Sequence, residues 1–108
     1  MSKVVSINSE DAFDKLLKIR NQVIVIDFSA KWCGPCKKIA PYYEKLAVSV
    51  PDIIFAKIDV DEFEEISKSA GIKSIPSFIF YKNGKEIMRV SGADLNAVLK
   101  ACKDCQNL

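Results

Sequence analysis

The run Val23-Ile24-Val25-Ile26-Asp27-Phe28 constrains this chain more than any other feature. It is β-branched and apolar on both faces, the pattern of a strand buried inside a parallel sheet. Ile53 to Asp59 reads as a second such strand. Parallel neighbours need a crossover between them, and the intervening residues supply one: a helix from about Gly34 to Ser49, with Pro41 as an expected kink. Punctuation fixes the other elements. Val4 to Ile7 is a short strand. Asn8 or Ser9 can cap a helix reaching Ile19, with Phe13, Leu16 and Leu17 on its apolar stripe. Glu62 to Ala70 is a short helix, acidic where the helix dipole favours it and ended by Gly71. Ser77 to Tyr81 and Glu86 to Val90 flank Asn83-Gly84, a strong hairpin signal. Asp94 to about Cys105 closes the order β-α-β-α-β-α-β-β-α, with Leu95, Val98, Leu99 and Cys102 at helical spacing.

Such an order asks for one sheet with helices on both faces. The 108 residues suit one domain, 1–108, with no linker, repeat or low-complexity segment. At 49% hydrophobic residues the chain can bury a core without disulfide staples. Sixteen basic and fourteen acidic residues give +2, too even a balance to argue for nucleic acid or an anionic membrane. No apolar run approaches the roughly 20 residues of a membrane span. Met1 to Val5 enters a strand-like stretch without the pattern of a signal peptide, so a cytoplasmic protein with reduced thiols is expected. The four cysteines then suggest catalysis, metal or packing before a disulfide framework. There is no histidine, which excludes Cys–His catalysis and imidazole-ligated zinc.

In open sheets of this kind, sites form beyond the carboxyl ends of the parallel strands. The residues there run from Ser29 to Lys37 and include Trp32-Cys33-Gly34-Pro35-Cys36. A Gly-Pro insert between two cysteines arises by chance about once in 300 trials, so its setting must add weight. The setting is specific: Asp27-Phe28 ends the apolar strand, Pro41 lies in the next helix, and Lys57 stands in Phe55-Ala56-Lys57-Ile58-Asp59. Ile75-Pro76 precedes the hairpin, Asn83-Gly84 turns it and Gly92 follows it. Over nearly its whole length the chain resembles the thioredoxin family. The resemblance implies a single thioredoxin-fold domain of class α/β, with a central mixed five-stranded sheet flanked by four helices. It also implies a protein-disulfide oxidoreductase acting as a redox carrier.

Elementary chemistry agrees. Cys33 falls at or just before a helix N-terminus, where free amides and the positive dipole end stabilise a thiolate. Gly34 permits a tight turn, and Pro35 suits the first helical turn, where its missing N–H costs nothing. Cys36 is three residues on, within disulfide reach. Cys33 is expected to attack and form a mixed disulfide with substrate, and Cys36 to resolve it. The competing reading, half of a tetrahedral metal site, lacks nearby ligands.

Asp27 shares a face with Val23 and Val25. If buried, it titrates high and can take the proton of Cys36, the role the resemblance implies; otherwise the strand ends there and it is solvated. Lys57 can pair with Asp27 from the neighbouring strand or snorkel to water. The resemblance makes Pro76 a cis-proline beside the dithiol and Ile75 a backbone edge for an extended substrate. With Trp32, Gly34, Pro35, Gly92 and Ala93 these form a flat, mostly apolar contact surface, Trp32 as plain core being the alternative. Ser29 stands where many bacterial relatives carry an aromatic residue. Lys31, Lys37 and Lys38 either favour acidic partners or form an ordinary solvated face.

A second C-x-x-C, Cys102-Lys103-Asp104-Cys105, is not a family feature. Cys102 continues an apolar stripe, whereas Cys105 is expected near a fraying helix end and open to oxidation. Packing, a regulatory disulfide and metal remain the alternatives. A helix starting near Gly92, at the end of the first dithiol, runs about 18 Å from its start to its end and so places this pair near the opposite pole.

By resemblance the activity is general reduction of protein disulfides, recharged by a thioredoxin reductase. No bound cofactor or metal is expected, and NADPH enters only through that reductase. Acceptors would include peroxiredoxins, ribonucleotide reductase or methionine sulfoxide reductase, met by a monomer that binds neither nucleic acid nor membrane. A dedicated donor to one enzyme is the rival. A redox-silent binding subunit would need neither thiol, and oxidases and isomerases of this fold usually carry His between the cysteines.

Overall fold

The computed structural model describes residues 2–108; Met1, where the strand-entering stretch begins, lies outside them. Five strands form one sheet: β1 (Val4–Ser6), β2 (Val23–Ser29), β3 (Ile53–Asp59), β4 (Ser77–Lys82) and β5 (Lys85–Ser91). Their order across the sheet is β1-β3-β2-β4-β5. The two apolar runs are therefore inner strands. β3 pairs in parallel with both β1 and β2, while β4 and β5 join antiparallel.

Helices α1 (Glu10–Leu17), α2 (Gly34–Ser49), α3 (Glu64–Ser69) and α4 (Leu95–Cys105) cover the two faces. Strand alternation sends Ile24, Ile26 and Phe28 into the core under α1 and α3, and Val23 and Val25 into the core under α2 and α4. Phe28, Phe55, Phe78 and Phe80 are among the fully buried side chains, each contributing about 1.5–3 kcal/mol of transfer free energy.

Local chemistry sets the element ends. Ser9 caps α1 by accepting the Ala12 N–H at 3.0 Å, and Asp94 caps α4 by accepting that of Ala97 at 3.0 Å. Asn83 and Gly84 both take positive φ, 53° and 79°, as a two-residue hairpin turn between twisted strands requires. α2 runs unbroken through Pro41, which is exposed, so the carbonyl it deprives of a partner can meet water. Several element ends differ by one residue from expectation, and two helix ends shift by two. α1 stops at Leu17 rather than Ile19. α3 begins at Glu64 rather than Glu62, because Asp59 Oδ1 accepts the N–H groups of Asp61 (2.8 Å) and Glu62 (3.3 Å), a turn that competes with the helix. The β4–β5 register shift between Phe80 and Tyr81 has no sequence signal; it makes Ile87 an extra residue in β5.

Candidate active site

β2 ends at Ser29, and the chain turns sharply, the Cys33 N–H bonding to the Ala30 carbonyl at 3.2 Å. Cys33 is the N-cap of α2; its sulfur accepts the Cys36 N–H at 3.2 Å, and Pro35 occupies the first turn. Cys33 and Cys36 are disulfide-bonded, with Cα atoms 5.2 Å apart. Exposure does not separate them, at 3% and 5%. Their surroundings do. Cys33 Sγ lies 3.9 Å from the Ile75 carbonyl oxygen. A disulfide sulfur has no hydrogen to donate, so this contact becomes a hydrogen bond only in the reduced thiol. Cys36 instead opens the buried stripe of α2 that continues through Ile39, Tyr43 and Ala47.

The Ile75–Pro76 peptide is cis, and Pro76 is buried. Its carbonyl accepts the Gly92 N–H at 2.8 Å, which brings the Gly92-Ala93 loop beside the proline. Trp32 is 69% exposed, so the core alternative is set aside. Its indole N–H donates to Asp61 Oδ2 at 2.8 Å, which fixes the ring beside the dithiol. An open groove of about 390 Å³ runs from Trp32 along Val60, Ile72, Lys73 and Ile75. Lys31 meets Glu62 at 3.6 Å in water, and Lys37 and Lys38 are exposed.

Asp27 is 5% exposed, and its Oδ1 has no hydrogen-bond partner among the described residues. Burial pushes its carboxyl up to about 7, while the charge of Lys57 pulls the other way. Lys57 stands opposite Asp27 in the β2–β3 register but is exposed, and no ion pair joins them among the described residues. The attraction between Lys57 and Asp27 therefore acts through space rather than through a contact ion pair. Below Asp27 the hydroxyl of Tyr43 donates to the Ala56 carbonyl at 2.8 Å and approaches that of Val25 at 3.3 Å. Asp27 lies two residues beyond Val25, about 7 Å along β2. Cys36 lies two helical turns before Tyr43, about 10 Å back along α2. The two runs are antiparallel, so Asp27 sits beneath the first turn of α2.

The second cysteine pair is remote. Cys102 and Cys105 are free thiols, each 1% exposed, in the core between the sheet and α4. Cys105 lines a cleft with Val23 and Ile53, at the amino ends of β2 and β3, opposite to the pole of the dithiol. The expectation that Cys105 is open near a fraying end is overturned. α4 extends through it, and it packs against the sheet. Burial pushes the Cys102 thiol up to about 11 and raises that of Cys105, so little thiolate exists at neutral pH. Replacing both by alanine, which leaves no unpaired buried hydroxyl, is expected to keep reductase-coupled turnover within about tenfold, a ΔΔG‡ below ~1.4 kcal/mol. A larger loss in a variant with native circular dichroism would show a redox role.

Sequence reasoning missed Asp61. Three other carboxylates surround it in Asp59-Val60-Asp61-Glu62-Phe63-Glu64, and nothing local marks the one that meets Trp32. Among the described residues no group of three or more His, Cys, Asp or Glu is placed to hold a metal, and no helix is long and apolar enough to cross a membrane.

Residues 3–104 match the family model described as Thioredoxin. Thioredoxin-2 of Saccharomyces cerevisiae is 44% identical over 98 residues, covering 91% of this chain and 94% of that protein. A poplar thioredoxin h structure superposes with a TM-score of 0.93 at 34% identity, covering 98% of each chain. Another, from work on thiol resolution in yeast mitochondrial 1-Cys peroxiredoxin via glutathione and thioredoxin systems, gives 0.88 at 36% identity, covering 96% of this chain and 99% of that one.

Proposed function

This chain belongs to the thioredoxin family of protein-disulfide oxidoreductases, and on that premise we propose how its residues divide the work of a general disulfide reductase. The Cys33 thiolate attacks one sulfur of a substrate disulfide. A Cys33–substrate bond forms as the substrate S–S bond breaks, and the other substrate sulfur leaves as a thiolate that takes up a proton. Cys36 then gives its proton to the Asp27 carboxylate and attacks Cys33 Sγ. The Cys33–substrate bond breaks, the second substrate sulfur departs as a thiolate that takes up a proton, two electrons have passed to the substrate, and Cys33–Cys36 is left oxidised. A thioredoxin reductase drawing on NADPH returns the two electrons.

The observation that carries this reading is the Cys33–Cys36 disulfide across the N-cap and first turn of α2. Amides there are free to hold a thiolate, and an N–H already meets Cys33 Sγ. Trp32, Gly34, Pro35, Ile75, Pro76, Gly92 and Ala93 serve as the docking surface, with exposed Trp32 and the open groove beside it in support. Lys57 acts only by lowering the cost of ionising Asp27. The chain works as one domain and as a monomer, in the cytoplasm, with no bound cofactor or metal. Peroxiredoxins, ribonucleotide reductase and methionine sulfoxide reductase are its acceptor class, and the yeast peroxiredoxin work makes a peroxiredoxin the first to try.

The test is NADPH consumption during insulin disulfide reduction, run with thioredoxin reductases of different types and with glutathione plus glutathione reductase. Turnover with a thioredoxin reductase is expected. A protein that stays oxidised with every reductase, or is recharged only by glutathione, would overturn the assignment.

A further inference from the structure

The proposed docking edge, Ile75, ends a segment that begins at the last turn of α3. Its far end is well held: Ser77 Oγ donates to the Ser74 carbonyl at 2.6 Å, and the Gly92 N–H to that of Pro76 at 2.8 Å. At the near end Gly71 takes a φ of 71° and turns the chain out of α3, its N–H bonded to the Lys68 carbonyl at 3.0 Å. The Ile72 N–H reaches the Ser67 carbonyl, also at 3.0 Å. That turn leaves the carbonyls of Ala70 and Gly71 pointing outward, at the negative end of the helix.

Arg89 of β5 answers them. Its Nη2 donates to the Ala70 carbonyl at 2.5 Å and its Nη1 to that of Gly71 at 3.2 Å. Glu86 holds the guanidinium from behind, accepting from Nε at 2.9 Å and Nη2 at 2.8 Å. In a regular strand, residues three apart face opposite ways. Here the extra residue Ile87 restores them to one face: Glu86 stands opposite Tyr81 and Arg89 opposite Ile79, both on the α1 and α3 side of the sheet. The bulge thus builds a forked cation aimed at the carboxyl end of α3. Only a planar guanidinium can grip a carboxylate and two carbonyls at once; a lysine ammonium cannot reproduce that fork.

We propose that Arg89, held by Glu86 across the β5 bulge, is a positioning residue for protein substrates: it anchors the start of the Gly71–Ile75 segment and so sets where the Ile75 edge stands beside the dithiol. This rests on the docking role given to Ile75 above. Arg89 touches neither sulfur, so a small disulfide that needs no edge is indifferent to it.

The test compares wild type with Arg89→Ala, Arg89→Lys and Glu86→Gln on two substrates, insulin and the small aromatic disulfide DTNB, alongside amide hydrogen exchange. Arg89→Ala should raise KM for insulin about fivefold with kcat within about twofold, roughly the net effect of losing one ordinary, water-exposed hydrogen bond. DTNB reduction should stay within about twofold, and exchange at Gly71 and Ile72 should quicken. Glu86→Gln and Arg89→Lys should fall between, and they carry the test if Arg89→Ala does not fold. An unchanged insulin KM, equal losses on both substrates, or unaltered exchange at Gly71 and Ile72 each overturns the proposal. Wild type that reduces neither substrate would instead sink the reductase reading itself.

Discussion

Cys33→Ser is expected to reduce insulin turnover by more than about a thousandfold, the loss typical of removing a covalent nucleophile. Cys36→Ser should also stop cycling, but after one step: it should accumulate a one-to-one mixed disulfide between Cys33 and substrate. The asymmetry follows from the helix. Cys33 is the cap, so its sulfur meets the Cys36 N–H at 3.2 Å and the positive end of a 16-residue helix. It also lies against the Ile75 carbonyl, the proposed docking edge. Cys36 is inside the first turn, at the head of the stripe that faces the core. Both sulfurs are nearly covered in the oxidised form, so reactivity turns on thiolate stabilisation and on the side from which substrate comes. Intact mass spectrometry under non-reducing conditions reads the result. A substrate adduct on Cys33→Ser rather than on Cys36→Ser would reverse the two roles.

What the sequence made legible was what rests on periodicity and punctuation. The bounds of α2 and β3 were readable from apolar spacing, from Pro51-Asp52 and from the C-x-x-C itself. So was the hairpin, because Asn83-Gly84 accepts backbone angles that most residues resist. Asp27 could be placed on the Val23–Val25 face by strand alternation alone. Three features were not legible, each because it depends on a partner far along the chain. Trp32 chooses Asp61 across 29 positions, against three neighbouring carboxylates of equal chemistry. Lys57 does face Asp27, yet the residue is exposed and joins it in no ion pair among the described residues, as expected where desolvating a second charge costs more than the attraction returns. The bulge at Ile87 carries no glycine or asparagine, and only the finished sheet reveals that Glu86 and Arg89 share a face. Cys105 is a fourth case in reverse: a position near a helix end suggested fraying, and packing against β2 and β3 closed it.

Asp27→Asn should slow the resolving step by at least about tenfold near neutral pH while leaving the first attack nearly unchanged, a modest share of what general bases supply. The carboxyl lies beneath the first turn of α2, buried, with Oδ1 unpaired among the described residues. Desolvation raises its pKa to about 7, which poises it to accept a proton from Cys36 at the working pH. Wild-type resolution, followed by stopped-flow tryptophan fluorescence, should therefore show an inflection near pH 7, and the asparagine variant should lose it. The same shift has a thermodynamic counterpart. The folded carboxyl titrates near 7 against 3.8 for the free group, so between those values the native state holds a proton that the unfolded chain has released. Stability then falls as pH rises through that window and stays low above it. Roughly three pH units correspond to about 4 kcal/mol at most, a large part of the 5–15 kcal/mol or so that stabilises a typical domain. The substituted asparagine carries no charge at any pH, though its buried amide recovers only part of the difference. Urea unfolding of the oxidised forms should thus find Asp27→Asn more stable than wild type at about pH 8, by a few kcal/mol, and no more stable at about pH 4. A variant that gains nothing at the higher pH would mean the carboxylate is well solvated there. Equal slowing of attack and resolution would remove Asp27 from the proton transfer and leave it a structural role only.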